Sequence, residues 1–310
     1  MNRNLLLLKQ PNDLELYNLA IKNFKKDYSI ENEESDWDHK TRFRFLCFKF
    51  IPLIRKIIIP KLKQNLDKEA VLIEFRKLPH LEFLIRNTIN KLGNLWSYTV
   101  ICGIDNYDYM NTMCKKISPN IKIIKVAYKN LIPKEYTKFI TSLDFWNLLV
   151  GEKILIYQED SIIFKNNINE FLDFDYIGAP WSKEEEELGL KNTLLKYIDI
   201  NKYICVGNGG LTLRTKKCMI DVINSIKLDT SLDDYMPEDL YFSKTIQDLK
   251  LGKVADWDTA FKFSIEGFYN ENSFGGHCFW HSTCKEDKDS LEWQKPLLKN
   301  VIDPLKKYRL

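Results

Sequence analysis

The chain has 310 residues, 45% of them hydrophobic and 29% charged, and its 46 basic and 43 acidic side chains leave a formal net charge of +3. That length fits one large domain or two modest ones at roughly 150 residues each, and the apolar content excludes a disordered chain. Lys and Arg are interspersed with Asp and Glu instead of forming a basic tail, so nucleic acid is not the expected partner.

Residues 1–65 read as helical and rather polar, with a charge-rich break over residues 31–36 where a loop joins two helices. Short β-branched runs then predict strands over 70–74, 98–102, 121–126 and 153–157. Between them, residues 80–92, 106–117 and 136–149 carry apolar side chains at helical spacing, as in Leu81, Leu84, Ile85, Thr88, Ile89 and Leu92. Strands alternating with helices imply an α/β fold with a mainly parallel sheet flanked by helices, whose ligands bind beyond the carboxyl ends of the strands. After residue 165 the pattern loosens into Gly-rich segments, expected as loops, over 175–181 and 206–210. They bracket an acidic insertion, residues 183–187, and a helix is expected over 241–249.

No apolar run reaches the roughly 18 residues of a membrane span. The start of the chain does not read as a signal peptide, because Leu5, Leu6, Leu7 and Leu8 run directly into Lys9, Gln10 and Pro11. The seven cysteines (Cys47, Cys102, Cys114, Cys205, Cys218, Cys278, Cys284) contain no C-x-x-C pair and sit mostly in apolar segments, as reduced core thiols do. No N-x-[S/T] acceptor occurs. The expected setting is the cytoplasm.

Three places offer chemistry. The apolar strand 153–157 ends abruptly in Gln158, Glu159, Asp160 and Ser161. Two carboxylates at the mouth of a parallel sheet repel each other and usually serve a cation, here a hard divalent ion such as Mg²⁺ or Mn²⁺; a strand-end Asp can instead cap the next turn. The D-x-D strings at Asp36/Asp38, Asp173/Asp175 and Asp256/Asp258 follow no comparably apolar strand, so the metal is expected at Asp160. Second, Glu238 and Asp239 precede a helix, where they either cap it or, facing a pocket, accept a proton from an attacking hydroxyl. Third, Gly275 and Gly276 allow close backbone approach to a ligand, and His277 after them is a candidate metal ligand or diphosphate contact. The spacing of His277, Cys278, His281 and Cys284 matches no standard zinc framework, and His281 is expected as a stacked or core histidine.

Taken together, the strings Ile73-Glu74-Phe75-Arg76, Leu155-Ile156-Tyr157-Gln158-Glu159-Asp160-Ser161, Asp175-Tyr176-Ile177-Gly178-Ala179-Pro180-Trp181 and Gly207-Asn208-Gly209-Gly210-Leu211-Thr212-Leu213-Arg214 resemble those of a GT-A-type glycosyltransferase. More closely, they are similar to a poorly characterised GT-A-like family of bacteria and giant viruses. The resemblance spans roughly residues 68–285 and implies a GT-A-like catalytic domain over 68–310, preceded by a helical extension over 1–67 whose default role is a buttress.

It further implies a nucleotide-diphosphate-sugar donor, with a UDP-sugar favoured, bound near Glu74, Arg76, Gln158 and Glu159. Mn²⁺ or Mg²⁺ would sit on Asp160 with His277 as a further ligand. Trp181, Asn208, Gly209 and Gly210 would line the sugar and acceptor pocket. Glu238 and Asp239 would form the acid pair of an inverting transferase, with Asp239 as base. The metal string here lacks the first aspartate of D-x-D, which leaves open whether Glu159 touches the metal. The acceptor would be a hydroxyl of a glycan, a protein or a small molecule, in the host cytoplasm if the chain is viral. A metal-dependent nucleotidyltransferase needs the same sheet-end acids and a nucleotide site, and a non-catalytic carbohydrate-binding protein could keep the fold.

Overall fold

Three helices precede the first strand in the computed structural model: α1 (Leu14–Tyr28), α2 (His39–Lys49) and α3 (Ile51–Ile54). The structure describes residues 14–181, 196–199, 201–231, 235–283 and 290–308. The apolar run at Leu5 to Leu8, the acidic string at 183–187 and Cys284 lie outside the described residues. Asp38 caps α2 by accepting the Thr41 amide at 2.7 Å, which gives one of the D-x-D strings a plain structural role. α2 is apolar on two sides: Phe45 packs with Tyr17, Phe24 and Trp37, whereas Phe43, Leu46 and Cys47 enter the main core. Its remaining face carries Lys40 and Arg44, one turn apart.

The predicted strands appear as β1 (Lys68–Ile73), β2 (Ser97–Cys102), β3 (Lys122–Lys125) and β4 (Lys153–Tyr157). They pair in parallel, β2 and β4 flanking β1, with β3 outside β2. β1, β2 and β4 are buried almost throughout, which is why their sequences are nearly continuous apolar runs instead of alternating ones. α4 (Leu81–Leu92) and α5 (Tyr107–Ile117) match their predicted positions closely. The helix expected over 136–149 is instead α6 (Pro133–Ile140) and α7 (Leu143–Leu148). The Ser142 hydroxyl accepts the Phe145 amide at 3.2 Å and starts a new helix there.

The Gly-rich segments expected as loops are strands, β6 (Tyr176–Pro180) and β7 (Val206–Thr215). β7 pairs antiparallel with both β4 and β6, completing a six-stranded sheet in the order β3-β2-β1-β4-β7-β6. Here glycine serves close packing: a Cβ on Gly178 would lie 2.4 Å from the Asn208 carbonyl oxygen, and the pairing is bulged around Ala179. A second sheet, in the order β5-β9-β8, joins β5 (Ser161–Ile163), β9 (Gly275–His277) and β8 (Ser264–Ile265). Helices α8 (Lys216–Ser225), α9 (Glu238–Leu249) and α10 (Trp257–Phe263) complete the part of the fold that frames the site. α9 begins at Glu238, three residues before its expected start. The mixed, mainly parallel α/β architecture with an N-terminal helical extension is the fold class read from the sequence. Among the described residues no helix is long and apolar enough to cross a membrane.

Candidate active site at the carboxyl end of the sheet

β1 and β4 are parallel neighbours, so their carboxyl ends bring Glu74 and Arg76 next to Glu159 and Asp160. β5 follows β4 at once and pairs Ser161 with His277 of β9, which sets His277 Nε2 3.3 Å from Asp160 Oδ1. The adjoining residue, Cys278, has a left-handed backbone (φ 43°) and donates its amide to the Asp160 carbonyl at 3.1 Å. Its Sγ lies 3.5 Å from both Asp160 Oδ2 and His277 Nε2. Ligand atoms of Asp160, His277 and Cys278 all lie within 4.8 Å of one another, the one such group among the described residues.

Asp160 Oδ1 is buried with His277 Nε2 at 3.3 Å and makes no hydrogen bond of good geometry, which leaves it able to ligate a cation. A carboxylate oxygen and an imidazole nitrogen suit a divalent ion that completes its shell with substrate oxygens and water. The residues present therefore fit the expected cation. Burial alone would raise the Asp160 carboxyl, but His277 and Lys40 hold it well below the usual carboxylate range. Burial likewise opposes a charged His277, and Glu266, at 3.2 Å from Nδ1, together with Asp160 keeps that imidazole well above its ordinary value.

Glu159 faces elsewhere. Arg44 grips it with two contacts of 3.0 and 2.6 Å, His80 lies 3.3 Å from its second oxygen, and Arg76 reaches it at 3.3 Å. Against the cost of burial, the hydrogen bonds from His80 and Arg44 hold its carboxyl far below the usual range. Glu159, expected beside the donor, has both carboxylate oxygens engaged by Arg44, with Arg76 and Lys40 also on Oε1. Glu74 is similarly enclosed, accepting the amides of Phe75 and Arg76 at 2.9 and 2.8 Å and the Arg76 guanidinium at 2.8 and 2.7 Å. The Arg76 side chain stays half-exposed at 46% and is the member of that pair open to a ligand.

The second acid pair lies across the glycines of β7. Gly210 donates no side chain but its carbonyl accepts the Gln158 amide at 3.1 Å and the Ser161 hydroxyl at 2.7 Å. A Cβ on Gly210 would fall 2.2 Å from the His277 ring, and one on Gly209 would fall 2.3 Å from Glu238 Oε1. The glycines therefore admit His277 and Glu238 from opposite neighbours. The Asn208 side chain stays beside them, its Oδ1 3.4 Å from the Gly210 amide nitrogen. Glu238, expected to be catalytic, forms a buried bidentate pair with Arg214 at 2.9 and 3.1 Å. Arg214 is fully buried, stacked over Tyr176 and Phe242. With both oxygens so held, Glu238 acts as a fixed negative charge beside Asp239. Burial, then the Glu238 charge, raise the Asp239 carboxyl to about 7. Trp181 packs with Ile198, Cys205 and Leu240, the residue after Asp239. His281 corrects another expectation: it is exposed, with its ring 5.9 Å from that of Trp280.

Sequence reasoning missed Lys40, Arg44, His80, Glu266 and Cys278 as parts of this cluster. Lys40 and Arg44 stand four apart on a helix, the one signal that they share a face; nothing local tells that this face meets β4. Lys40 Nζ lies 2.7 Å from Asp160 Oδ2 and 2.8 Å from Glu159 Oε1.

A family described as "Protein of unknown function (DUF5672)" matches residues 120–277, just over half of the chain. The chain belongs to this family. The matched segment contains Glu159, Asp160, Gly209, Gly210, Glu238, Asp239 and His277, whereas Lys40, Arg44, Glu74 and Arg76 precede it. No curated protein matches the chain in sequence. Among solved structures, a mannosyltransferase from Pyrobaculum calidifontis in complex with GDP-Man and Mn²⁺ is similar at 8% identity and a TM-score of 0.41, covering 78% of this chain and 66% of that one. The chain thus spans a little under two thirds of that protein's length. A 4-diphosphocytidyl-2C-methyl-D-erythritol synthase from Anaerococcus prevotii is similar at 13% identity and a TM-score of 0.37, covering 62% of this chain and 87% of that one.

Proposed function

We propose that the protein is a metal-dependent glycosyltransferase that moves a sugar from a nucleotide-diphosphate sugar, a UDP-sugar being favoured, to a hydroxyl acceptor with inversion. The observation that carries this reading is the convergence of two unlike acid sites around Gly209 and Gly210. One is Asp160 with His277, a carboxylate and an imidazole grouped as cation ligands; the other is the Glu238–Asp239 pair, in which Glu238 lies against Gly209 and burial with the Glu238 charge raises the Asp239 carboxyl to about 7. Environments that push two acids apart separate a charge-stabilising role from a proton-transfer role.

In this reading Asp160 and His277 hold Mn²⁺ or Mg²⁺, the imidazole favouring Mn²⁺. A divalent cation bound there supplies Lewis-acid stabilisation of the negative charge that develops on a departing diphosphate. Arg76, held by Glu74, contributes a cation toward the nucleotide end. Asp239 accepts the proton of the acceptor hydroxyl as its oxygen bonds to the anomeric carbon and the bond from that carbon to the diphosphate oxygen breaks. A base with a value near neutrality is both ionised enough and basic enough for this step. Asn208, Gly209, Gly210 and Trp181 provide close backbone approach and an aromatic face for the sugar and the acceptor, be it a glycan, a protein or a small molecule.

Thermal unfolding with Mn²⁺ and a panel of UDP- and GDP-sugars tests the reading. A donor present at 100 times its Kd should add about 2.7 kcal/mol to stability, and only with the metal present. An unchanged melting curve across the panel would instead favour a non-catalytic protein on this fold.

A further inference from the structure

We propose that Lys40, presented by α2 of the N-terminal extension, is a diphosphate-binding residue. It neutralises Asp160 until a divalent cation takes that place, and then pairs with phosphate oxygens of the donor. The inference rests on the glycosyltransferase reading above and gives the extension a part in the site.

Lys40 bridges two carboxylates, at 2.7 Å from Asp160 and 2.8 Å from Glu159. Each carboxylate keeps another partner when Lys40 departs: Asp160 retains His277, and Glu159 retains the guanidinium groups of Arg44 and Arg76. Arg44 and Arg76 are tied bidentately to Glu159 and Glu74, whereas Lys40 is a compact charge on a flexible stem with its side chain 34% exposed. Its backbone is fixed, since Asp38 caps α2 and Phe43, Leu46 and Cys47 lock the helix into the core. A divalent ion on Asp160 would repel an ammonium bound to the same carboxylate. The released ammonium then stands beside the ion, where a diphosphate brings the anionic oxygens that both can share. Lys40 thus competes with the metal and cooperates with the nucleotide.

Calorimetric titration of the full chain with Mn²⁺ alone, and with UDP and GDP at saturating Mn²⁺, separates these effects. For Lys40→Met and Lys40→Gln, Mn²⁺ alone should bind more tightly, while the nucleoside diphosphate should bind roughly tenfold more weakly, the scale of one charge-assisted contact. Lys40→Arg should retain most of the nucleotide affinity. A purely structural role would weaken both titrations together, and that result overturns the proposal. Unchanged UDP and GDP affinity in both neutral variants also overturns it while leaving the transferase reading intact. Failure of the unaltered protein to bind either nucleotide with Mn²⁺ overturns both.

Discussion

At the scale of single residues, each candidate carboxylate has a different electrostatic neighbourhood, and the differences predict different losses. Asp160→Asn removes the anion proposed to hold the metal, so Mn²⁺ should no longer raise the melting temperature and metal-dependent turnover should vanish. Asp239→Asn keeps the shape of the site; donor affinity should survive while kcat falls by about 10²- to 10⁴-fold, the usual contribution of a general base. The charges facing Asp239 are Glu238, Arg214 and Glu266, and burial with Glu238 dominates to give a value of about 7. Below that value Asp239 is protonated and cannot accept a proton, so kcat/KM should rise with pH through about 7 and the Asp239→Asn variant should lose that limb. Arg214→Met leaves the buried Glu238 carboxylate unpaired, and urea unfolding should report a loss of about 3–5 kcal/mol. The residues legible in the sequence were those at strand ends, where an apolar run stopping at Asp160 marks a carboxylate that the fold brings beside His277. Partners such as His80 and Glu266 carried no such mark, because their neighbours are distant in the chain.

At the scale of elements, β7 makes the site possible. A strand with side chains at 209 and 210 would collide with Glu238 and His277, so the glycines that suggested loops in the sequence are strand positions cleared for neighbours. Turn-forming composition and close-packing composition look alike locally, and only the pairing with β4 and β6 distinguishes them. Gly210→Ala should therefore push the His277 ring away from Asp160 and lower Mn²⁺ affinity by about 10- to 100-fold, the scale of a disturbed ligand shell. Circular dichroism should show the fold retained. In the D-x-D strings, Asp38 and Asp256 both cap helices, accepting the amides of Thr41 and Thr259. The strands β1, β2 and β4 were readable because burial on both faces demands continuous apolar runs, and α4 because one face must match them.

At the scale of the whole molecule, a net charge of +3 conceals a dense local balance of Lys40, Arg44 and Arg76 against Glu74, Glu159 and Asp160. Residues before β1, expected as a buttress, share the core through α2 and also supply two of those cations. Tertiary contacts more than a hundred residues apart decide that role, as between Lys40 and Asp160, and helical periodicity carries no information about them. The central claim is that this site breaks the bond between a sugar and its diphosphate. Its most direct test is the product released from a nucleotide sugar with Mn²⁺ and the full chain. Nucleoside diphosphate, formed in step with sugar transfer and lost in Asp160→Asn, is the predicted result. Pyrophosphate release from a nucleoside triphosphate and a sugar phosphate, with no diphosphate formed from any UDP- or GDP-sugar, would contradict it.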